Sequence, residues 1–143
     1  MPILNYTTKV PVENTLKDIE RILIKAGANG VLKEYEGGEV AAVTFRVIQE
    51  NGGDRQEIFY KLPADIEGVS RALKKDREFR DTPHARRVAW RIVKDWIEAQ
   101  MAIVQAQMAE LPQVFLPYAQ TSTGQSVYEK IKETKNLMIT GPK

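Results

Sequence analysis

The sequence lacks cysteine altogether and has one histidine among its 143 residues. Without cysteine, disulfides, thiolate nucleophiles and zinc–thiolate sites are excluded, and the composition is compatible with a reducing compartment. A single histidine assembles neither a histidine-based metal site nor a catalytic triad, and the sequence contains no HExxH or DxDxDG motif. These absences predict a protein that is not an enzyme and that uses neither a metal nor another cofactor.

A large net charge and a long apolar run are also missing. The 21 Lys and Arg residues nearly balance the 19 Asp and Glu residues, whereas a nonspecific duplex-binding protein usually shows a basic excess. Any anion site must therefore be local. No stretch approaches the roughly 18 to 20 apolar residues of a membrane-spanning helix, and the first residues lack the pattern of a signal peptide. We expect a cytoplasmic protein without membrane contact.

Length and hydrophobic periodicity predict one α+β domain over residues 1–143, with a mixed part at 1–75 and a helical part at 82–135. The mixed part is expected to follow the order β-α-β-β-β-α, with a small antiparallel sheet whose hairpin turns contain glycine. The predicted elements are a strand at 3–10, a helix at 13–26 that ends at Gly27, strands at 31–35, 40–48 and 57–63, and a helix at 65–75 capped by Asp65.

The helical part begins with Thr82 and Pro83, a helix-start signal, and no further breaker occurs before Pro112. A helix of about 28 residues would be about 42 Å long. A C-terminal helical segment follows near 126–134, with a capping candidate at Ser122 or Thr123.

Apolar residues of this long helix span an arc of about 180°, more than one packed face needs. The excess predicts cover from two sides, either by the sheet and the C-terminal segment or by a second copy of the protein. We therefore expect a homo-oligomer with residues 88–108 at its interface. A glutamate at Ile97 or Val104 is expected to split it, since an unpaired charge would be buried.

Residues 86–96 of the long helix read RRVAWRIVKDW, which combines basic and tryptophan side chains. In projection, Arg87, Arg91 and Lys94 form one stripe with Glu98, a pattern typical of a solvated helix face with ordinary ion pairs. The basic and aromatic side chains therefore alternate in sequence but not in space.

Other residues of the helix depart from a simple polar and apolar division. Trp96 projects into the centre of the apolar arc and Trp90 onto its margin. Arg86, Gln100 and Gln107 also project into the arc, and buried polar groups need partners. These three side chains either bond to backbone groups or to a second copy, or they line a polar pocket whose partner is a ligand.

An arginine pair suits a phosphate, because each planar guanidinium donates two parallel charged hydrogen bonds. The candidate ligand-binding residues are Arg86, Arg87, Trp90, Arg91, Lys94 and Gln100. His84 is expected at the surface of the first helical turn, and Asp54 and Arg55 at the second hairpin turn are a candidate mobile clamp.

The segments ILNYTTKVPVENTL, RVAWRIVKDWIEAQMA and MAELPQVFLPYA resemble small uncharacterised proteins encoded by phages, prophages and related mobile elements, over most of the chain. The resemblance implies a phage context, in which the protein would act in the host cytoplasm, and an accessory role such as counter-defence. Phage proteins of this size often act by stoichiometric binding, and one class of small homo-oligomers sequesters nucleotide immune signals.

These observations favour a non-catalytic homo-oligomer that binds and sequesters a nucleotide-like anion. One alternative is a single-stranded DNA- or RNA-binding protein, and another is a protein–protein inhibitor or adaptor that acts through the long helix. The nucleic-acid alternative would use the Arg87 stripe, basic residues at Arg71, Lys74, Lys75, Arg77 and Arg80, and sheet aromatics among Tyr35, Phe45, Phe59 and Tyr60. The element order also resembles double-stranded RNA-binding domains, but their basic motif is replaced here by the acidic ADIEGV.

Overall fold

The structure, a computed structural model, describes residues 2–74 and 81–134. Its elements are α1 (Val12–Lys25), β1 (Gly30–Glu36), β2 (Glu39–Asn51), β3 (Asp54–Pro63), α2 (Ile66–Ala72), α3 (Thr82–Gln105), α4 (Leu111–Phe115), a 3-10 turn (Leu116–Tyr118) and α5 (Val127–Glu133). The predicted α+β class and antiparallel sheet are confirmed, and the element order agrees with the prediction except at the N-terminus.

The sheet has the strand order β1-β2-β3, and both strand pairs are antiparallel. Each hairpin turns on two glycines, Gly37–Gly38 and Gly52–Gly53, all with positive φ. Turns that need positive φ at both central residues match the twist of a hairpin, and glycine adopts them without strain. Because the second turn closes within two residues, Gln49 pairs with Gln56, and much of the loop predicted at 49–56 is strand.

Helices α1 and α3 cover one face of the sheet and run parallel to each other. Asp18 of α1 forms an ion pair with Arg91 of α3, and one turn further along both helices Ile22 lies beside Lys94. Since the residue numbers of the two helices rise together, their N-terminal ends lie at the same end of the molecule.

Aromatic side chains fill the space between the sheet and the helices. Phe45 of β2 stacks on Tyr60 of β3 with ring centroids 5.1 Å apart. Phe115 of α4 meets Phe45 edge-on at 5.4 Å and Trp96 of α3 at the same distance. Helix α4 therefore closes the core over the end of the sheet, and its apolar sequence is explained by this position.

The N-terminal segment is not the predicted strand. Asn5 has φ 65°, and turn hydrogen bonds join Tyr6 N to Ile3 O and Thr8 N to Asn5 O. Ile3 and Tyr6 pack against the apolar cluster between α2 and α3, and the Asn5 amide donates to Asp95 of α3. The alternating pattern at 3–10 thus serves packing on helices, not pairing in the sheet.

Helix α3 ends earlier than predicted, at Gln105, which makes it 24 residues long. Gln107 adopts φ 61°, and its N–H bonds to Val104 O while Met108 N–H bonds to Ile103 O. This pair of bonds is a Schellman motif, which ends a helix through a left-handed residue. The predicted length of 28 residues was wrong because a glutamine occupies the position where glycine is usual.

Side-chain caps fix the starts of three helices. Asp65 accepts a hydrogen bond from the backbone of α2, as predicted, at 2.8 Å. Asp81 caps α3 one residue before the predicted start, and Ser126 caps α5 within a capping box. The cap predicted at Ser122 or Thr123 was wrong, because those residues lie in the turn that precedes Ser126.

The wide apolar arc of α3 is covered from two sides by the same chain. Trp90, Ile97 and Met101 belong to the core beneath α1 and the sheet, while Val88 packs into the cluster with α2 and the N-terminal segment. Ile97 has no exposed surface, so a glutamate there would unfold the protein and is a poor test of assembly. In the part of the chain that the structure describes, no helix has the length and apolar character needed to cross a membrane.

Candidate anion-binding cleft

A cleft of about 660 Å³ opens where the N-terminal ends of α1 and α3 meet the β1–β2 turn. Its charged and aromatic lining comes from three elements: Glu13 and Lys17 of α1, Lys33, Tyr35 and Glu39 of the hairpin, and Arg86 and Arg87 of α3. Four cations thus face two carboxylates in a protein that is almost neutral overall. The positive charge is therefore concentrated at this cleft, as an anion site requires in a chain whose net charge is close to zero.

Arg87 is the half-buried cation of the cleft that lacks a carboxylate partner among the described residues. Its side chain is half-buried, and the Nε atom is buried without a hydrogen-bond acceptor among the described residues. The described contact of its guanidinium is a hydrogen bond to Nδ1 of His84 at 3.2 Å. No carboxylate of the described chain compensates the charge of this guanidinium, so the side chain is suited to receive an anion from the cleft; Nε is closed to solvent, and the anion would meet the Nη atoms.

His84 orients Arg87, and its predicted surface position was wrong. The imidazole is 4% exposed because the N-terminal segment folds over the first turn of α3. Its Nε2 lies 2.5 Å from the carbonyl oxygen of Tyr6 and therefore donates, which leaves Nδ1 as an acceptor for Arg87. The imidazole thus connects the N-terminal segment with an arginine of the cleft.

Arg86 lies beside Arg87 and forms a long ion pair with Glu39, 3.7 Å between Nη1 and Oε1. The arginine side chain is 22% exposed and the glutamate 54%. Arg86 therefore extends along the cleft with its apolar stem covered, as expected for an arginine that projects into an apolar arc. Its charge is only partly compensated.

The two lysines of the cleft differ in their partners. Lys33 binds Glu20 of α1 at 2.8 Å, and this hydrogen bond raises the pKa of the ammonium above its usual 10.5. Lys17 is exposed and has no carboxylate within ion-pair distance among the described residues. Lys33 holds α1 against the sheet, whereas Lys17 remains available at the rim.

The N-terminal end of α1 adds to the positive potential. Helix α1 begins at Val12, and the preceding Pro11 provides no side-chain cap. No acceptor for the N–H groups of Val12 and Glu13 lies within the described chain. Helix N-termini favour anions through these free N–H groups and the helix dipole. Residues of both N-termini line the cleft, and the end of α3 is already capped by the Asp81 carboxylate, so the uncapped end of α1 is the one that favours an anion.

Two of the predicted binding residues, Arg86 and Arg87, line this cleft, and the other two cations lie elsewhere. Arg91 pairs with Asp18 at 3.2 Å, and Lys94 pairs with Glu98 at 2.7 Å. Lys94 borders a separate groove of about 470 Å³ between α1 and α3. Their charges are compensated by ion pairs within the protein. The side chains are only 18% and 15% exposed because α1 lies along this stripe, so the prediction of a solvated helix face was wrong.

The uncharged members of the predicted site are also separated from the cleft. Trp90 is fully buried in the core, while Trp96 is half-buried. The prediction that Trp96 lies at the centre of the buried face and Trp90 on its margin was therefore wrong. Gln100 lies about 21 Å along α3 from Arg86, and Gln107 is exposed at the helix end. Arg86, Gln100 and Gln107 therefore do not line one pocket.

Sequence reasoning missed the residues that α1 and the hairpin contribute: Lys17, Lys33, Tyr35 and Glu39. Their alternation with apolar residues indicated an exposed face, but nothing local indicated that α1 would lie parallel to α3. Asp54 and Arg55, considered as a clamp, lie at the other hairpin turn and do not border the cleft.

Among residues 2–74 and 81–134, no cluster of His, Asp and Glu has the arrangement to hold a metal ion. A comparison with protein-family models, curated proteins and solved structures gives no significant match, so no family assigns a ligand to the cleft.

Proposed function

We propose that the protein is a non-catalytic binding protein that captures a nucleotide-like anion in the cleft between α1, α3 and the β1–β2 turn. The observation that carries this proposal is Arg87, a half-buried arginine that lines the cleft and has no carboxylate partner among the described residues. Proteins rarely bury a charge without a partner, and a bound phosphate would supply one.

The chemistry of the cleft fits both parts of a nucleotide. Arg86 and Arg87 offer two planar guanidinium groups, and Lys17 adds a mobile charge at the rim. Tyr35 is 61% exposed on the opposite wall and offers a ring on which a base can stack. The volume of about 660 Å³ lies within the range usual for small-ligand pockets.

Sequestration in counter-defence and assembly into a homo-oligomer belong to the same proposal. The first rests on the resemblance to phage-encoded proteins, and the second on the apolar excess predicted for residues 88–108. A contact between copies would use exposed residues at the end of α3 and just after it, including Ala102 and Met108. Light scattering at tens of micromolar protein tests the assembly separately from ligand binding, and a monomer mass would remove the oligomer from the proposal.

The experiment that tests binding is a thermal-shift screen with AMP, ADP, ATP and cyclic di- and trinucleotides, together with mass spectrometry of protein purified from cells. A nucleotide at 100 times its Kd should stabilise the protein by about 2.7 kcal/mol. Arg87→Lys keeps the charge but loses the bidentate fork, so it should bind at least about fivefold more weakly. Arg71→Lys changes an exposed arginine of α2 in the same way and should bind like the wild type.

No shift with any of these nucleotides, together with no retained ligand, would contradict the proposal and favour the protein–protein alternative. Equal losses in Arg87→Lys and Arg71→Lys would place the site elsewhere. Circular dichroism of both variants shows whether a loss of binding reflects a loss of folding.

The nucleic-acid alternative is less well supported by the described residues. Phe45 and Tyr60 are buried against the helices and cannot stack on bases. The charges of Arg91 and Lys94 are compensated by Asp18 and Glu98. Arg71 and Lys74 are exposed, whereas Lys75, Arg77 and Arg80 lie outside the described residues. Binding to single-stranded DNA that weakens steeply with salt would revive this alternative.

A further inference from the structure

Glu39 and Arg86 both stand at the border of two clefts. Besides the anion-binding cleft, a second cleft of about 480 Å³ lies on the other side of the β1–β2 turn, and both residues line it as well. Glu39 is the first residue of β2, directly after the Gly37–Gly38 turn. It is therefore attached to the hairpin, while its partner is attached to α3.

The contact between Glu39 and Arg86 is weak by its geometry. The distance of 3.7 Å exceeds the roughly 2.7 to 2.9 Å of a charge-assisted hydrogen bond. The carboxylate is 54% exposed, so it regains most of its hydration when it leaves the arginine. An anion that approaches Arg86 closely can displace Glu39 at little cost.

The second cleft does not offer an alternative route to Arg86 for an anion. Its lining carries further carboxylates, namely Glu34, Glu36, Asp65 and Glu67. The one lysine there, Lys61, is held by Glu34 at 3.0 Å. This negative wall repels an anion, and it also disfavours movement of the Glu39 carboxylate toward that side. Arg86 is thus accessible to anions from the cleft that also contains Arg87.

We propose that Glu39 is an internal competitor for Arg86 that a phosphate ligand must displace, and that Arg86 and Arg87 together then prefer a terminal phosphate monoester to a phosphodiester. The inference rests on the proposed function of the cleft. A phosphate monoester carries about −1.5 to −2 charges near neutral pH, whereas a diester carries one. The ligand must replace the charge of Glu39 at Arg86 and also compensate Arg87, which a doubly charged phosphate does and a singly charged one does only in part.

The test uses AMP and 3′,5′-cyclic AMP, which share base and sugar but differ in the ionisation of the phosphate. Calorimetry with the wild-type chain should show AMP binding about fivefold or more tightly than cyclic AMP, the factor that one unit charge at about 4 Å is worth in water. Glu39→Gln removes the competing charge, so the affinities for AMP and for cyclic AMP should both rise about fivefold, the one for AMP at least as much as the other.

Glu36→Gln is the matched control, because it changes the same charge on the same hairpin at a residue that lines the second cleft and not the first. It should leave the affinities for AMP and for cyclic AMP unchanged within about twofold, the level of long-range screened electrostatics. Inorganic phosphate is the third probe and should bind Glu39→Gln more tightly than the wild type.

The outcomes separate the inference from the proposed function. Wild-type binding of AMP that Glu39→Gln leaves unchanged, or changes no more than Glu36→Gln does, would overturn the role of Glu39 while the cleft keeps its function. Equal binding of AMP and cyclic AMP by the wild type would overturn the selectivity. If neither wild type nor Glu39→Gln binds any of the three probes, both the inference and the proposed function fail.

Discussion

At the scale of single residues, the chemistry of the cleft depends on a chain of contacts that begins outside it. The Tyr6 carbonyl accepts from Nε2 of His84, and Nδ1 of the same ring accepts from Arg87. The ring therefore fixes one guanidinium N–H while Nε stays without an acceptor in the described chain. None of the described residues before Pro11 lines the cleft. Through His84, the N-terminal segment nevertheless helps to orient Arg87, a cation of the cleft.

Tyr60 gives the stability of the protein a defined dependence on alkaline pH. Burial raises the pKa of its phenol above 10.0. The unfolded chain releases this proton near pH 10, whereas the folded chain retains it to higher pH, so the free energy of unfolding falls as the pH rises above about 10. Tyr60→Phe keeps the ring contacts with Phe45 and Phe115 and should lessen this decline, as measured by urea unfolding between about pH 9 and pH 11.

The control for this pH dependence is Tyr128→Phe, which removes a hydroxyl from a ring that is 58% exposed. Its unfolding free energy should decline with pH as steeply as that of the wild type. Equal slopes for all three proteins would show that deprotonation of Tyr60 is not coupled to unfolding.

At the scale of secondary-structure elements, the end of α3 contains a local conflict between sequence and conformation. Gln107 is held at φ 61° by the Schellman hydrogen bonds, and left-handed backbone costs a non-glycine residue about 1 kcal/mol or more. Gln107→Gly should therefore raise the free energy of unfolding by about 0.5 kcal/mol, after allowance for the greater freedom of glycine in the unfolded chain. Urea unfolding monitored by circular dichroism measures the change.

A second glycine variant tests whether glycine raises or lowers the free energy of unfolding according to its position in the helix. Ala102→Gly places glycine at an exposed interior position of the same helix and should lower the free energy of unfolding by about 1 kcal/mol. A loss of stability in both variants would mean that the left-handed residue at the helix end carries no measurable strain.

The elements themselves were predictable where local patterns determine them. The spacing of Leu16, Ile19 and Leu23 specifies the buried face of α1, and paired glycines specify both hairpin turns. The strand predicted at 3–10 was wrong because alternation of apolar and polar residues also suits a chain that lies across two helices. Its partners, α2 and α3, are more than 50 residues away in sequence, and a local pattern carries no information about them.

At the scale of the whole molecule, the packing of α3 determines what substitutions on its apolar side will do. Ile97 is fully buried in the main core. Ile97→Ala should lower the free energy of unfolding by about 2 to 4 kcal/mol through the lost contacts and the remaining cavity. Ala102→Ser changes an exposed residue of the same helix and should alter stability by less than about 0.5 kcal/mol. Denaturant unfolding compares the two, and a small effect at Ile97 would contradict the described packing.

The cleft was predictable only in the part that one helix supplies. Arg86 was predicted because it is a charged residue within the apolar arc of α3, and Arg87 because it is the first residue of the basic stripe. Lys17 and Glu39 belong to the site through the parallel arrangement of α1 and α3 and through the position of the hairpin between their ends. Such proximity depends on packing over many residues, which periodicity in one element does not encode.

The parallel arrangement of α1 and α3 also affects how the protein responds to its solvent. Side-by-side helices pointing the same way repel each other electrostatically. Here Asp81 caps the positive end of α3, and the uncapped end of α1 lies beside the charges of Arg86 and Arg87. The folded state without ligand therefore contains a repulsion that dissolved multivalent anions relieve by occupying the gap. Phosphate or sulfate should consequently raise the Tm of the protein more than chloride of equal ionic strength does. In buffers that contain these anions, the cleft is then partly occupied.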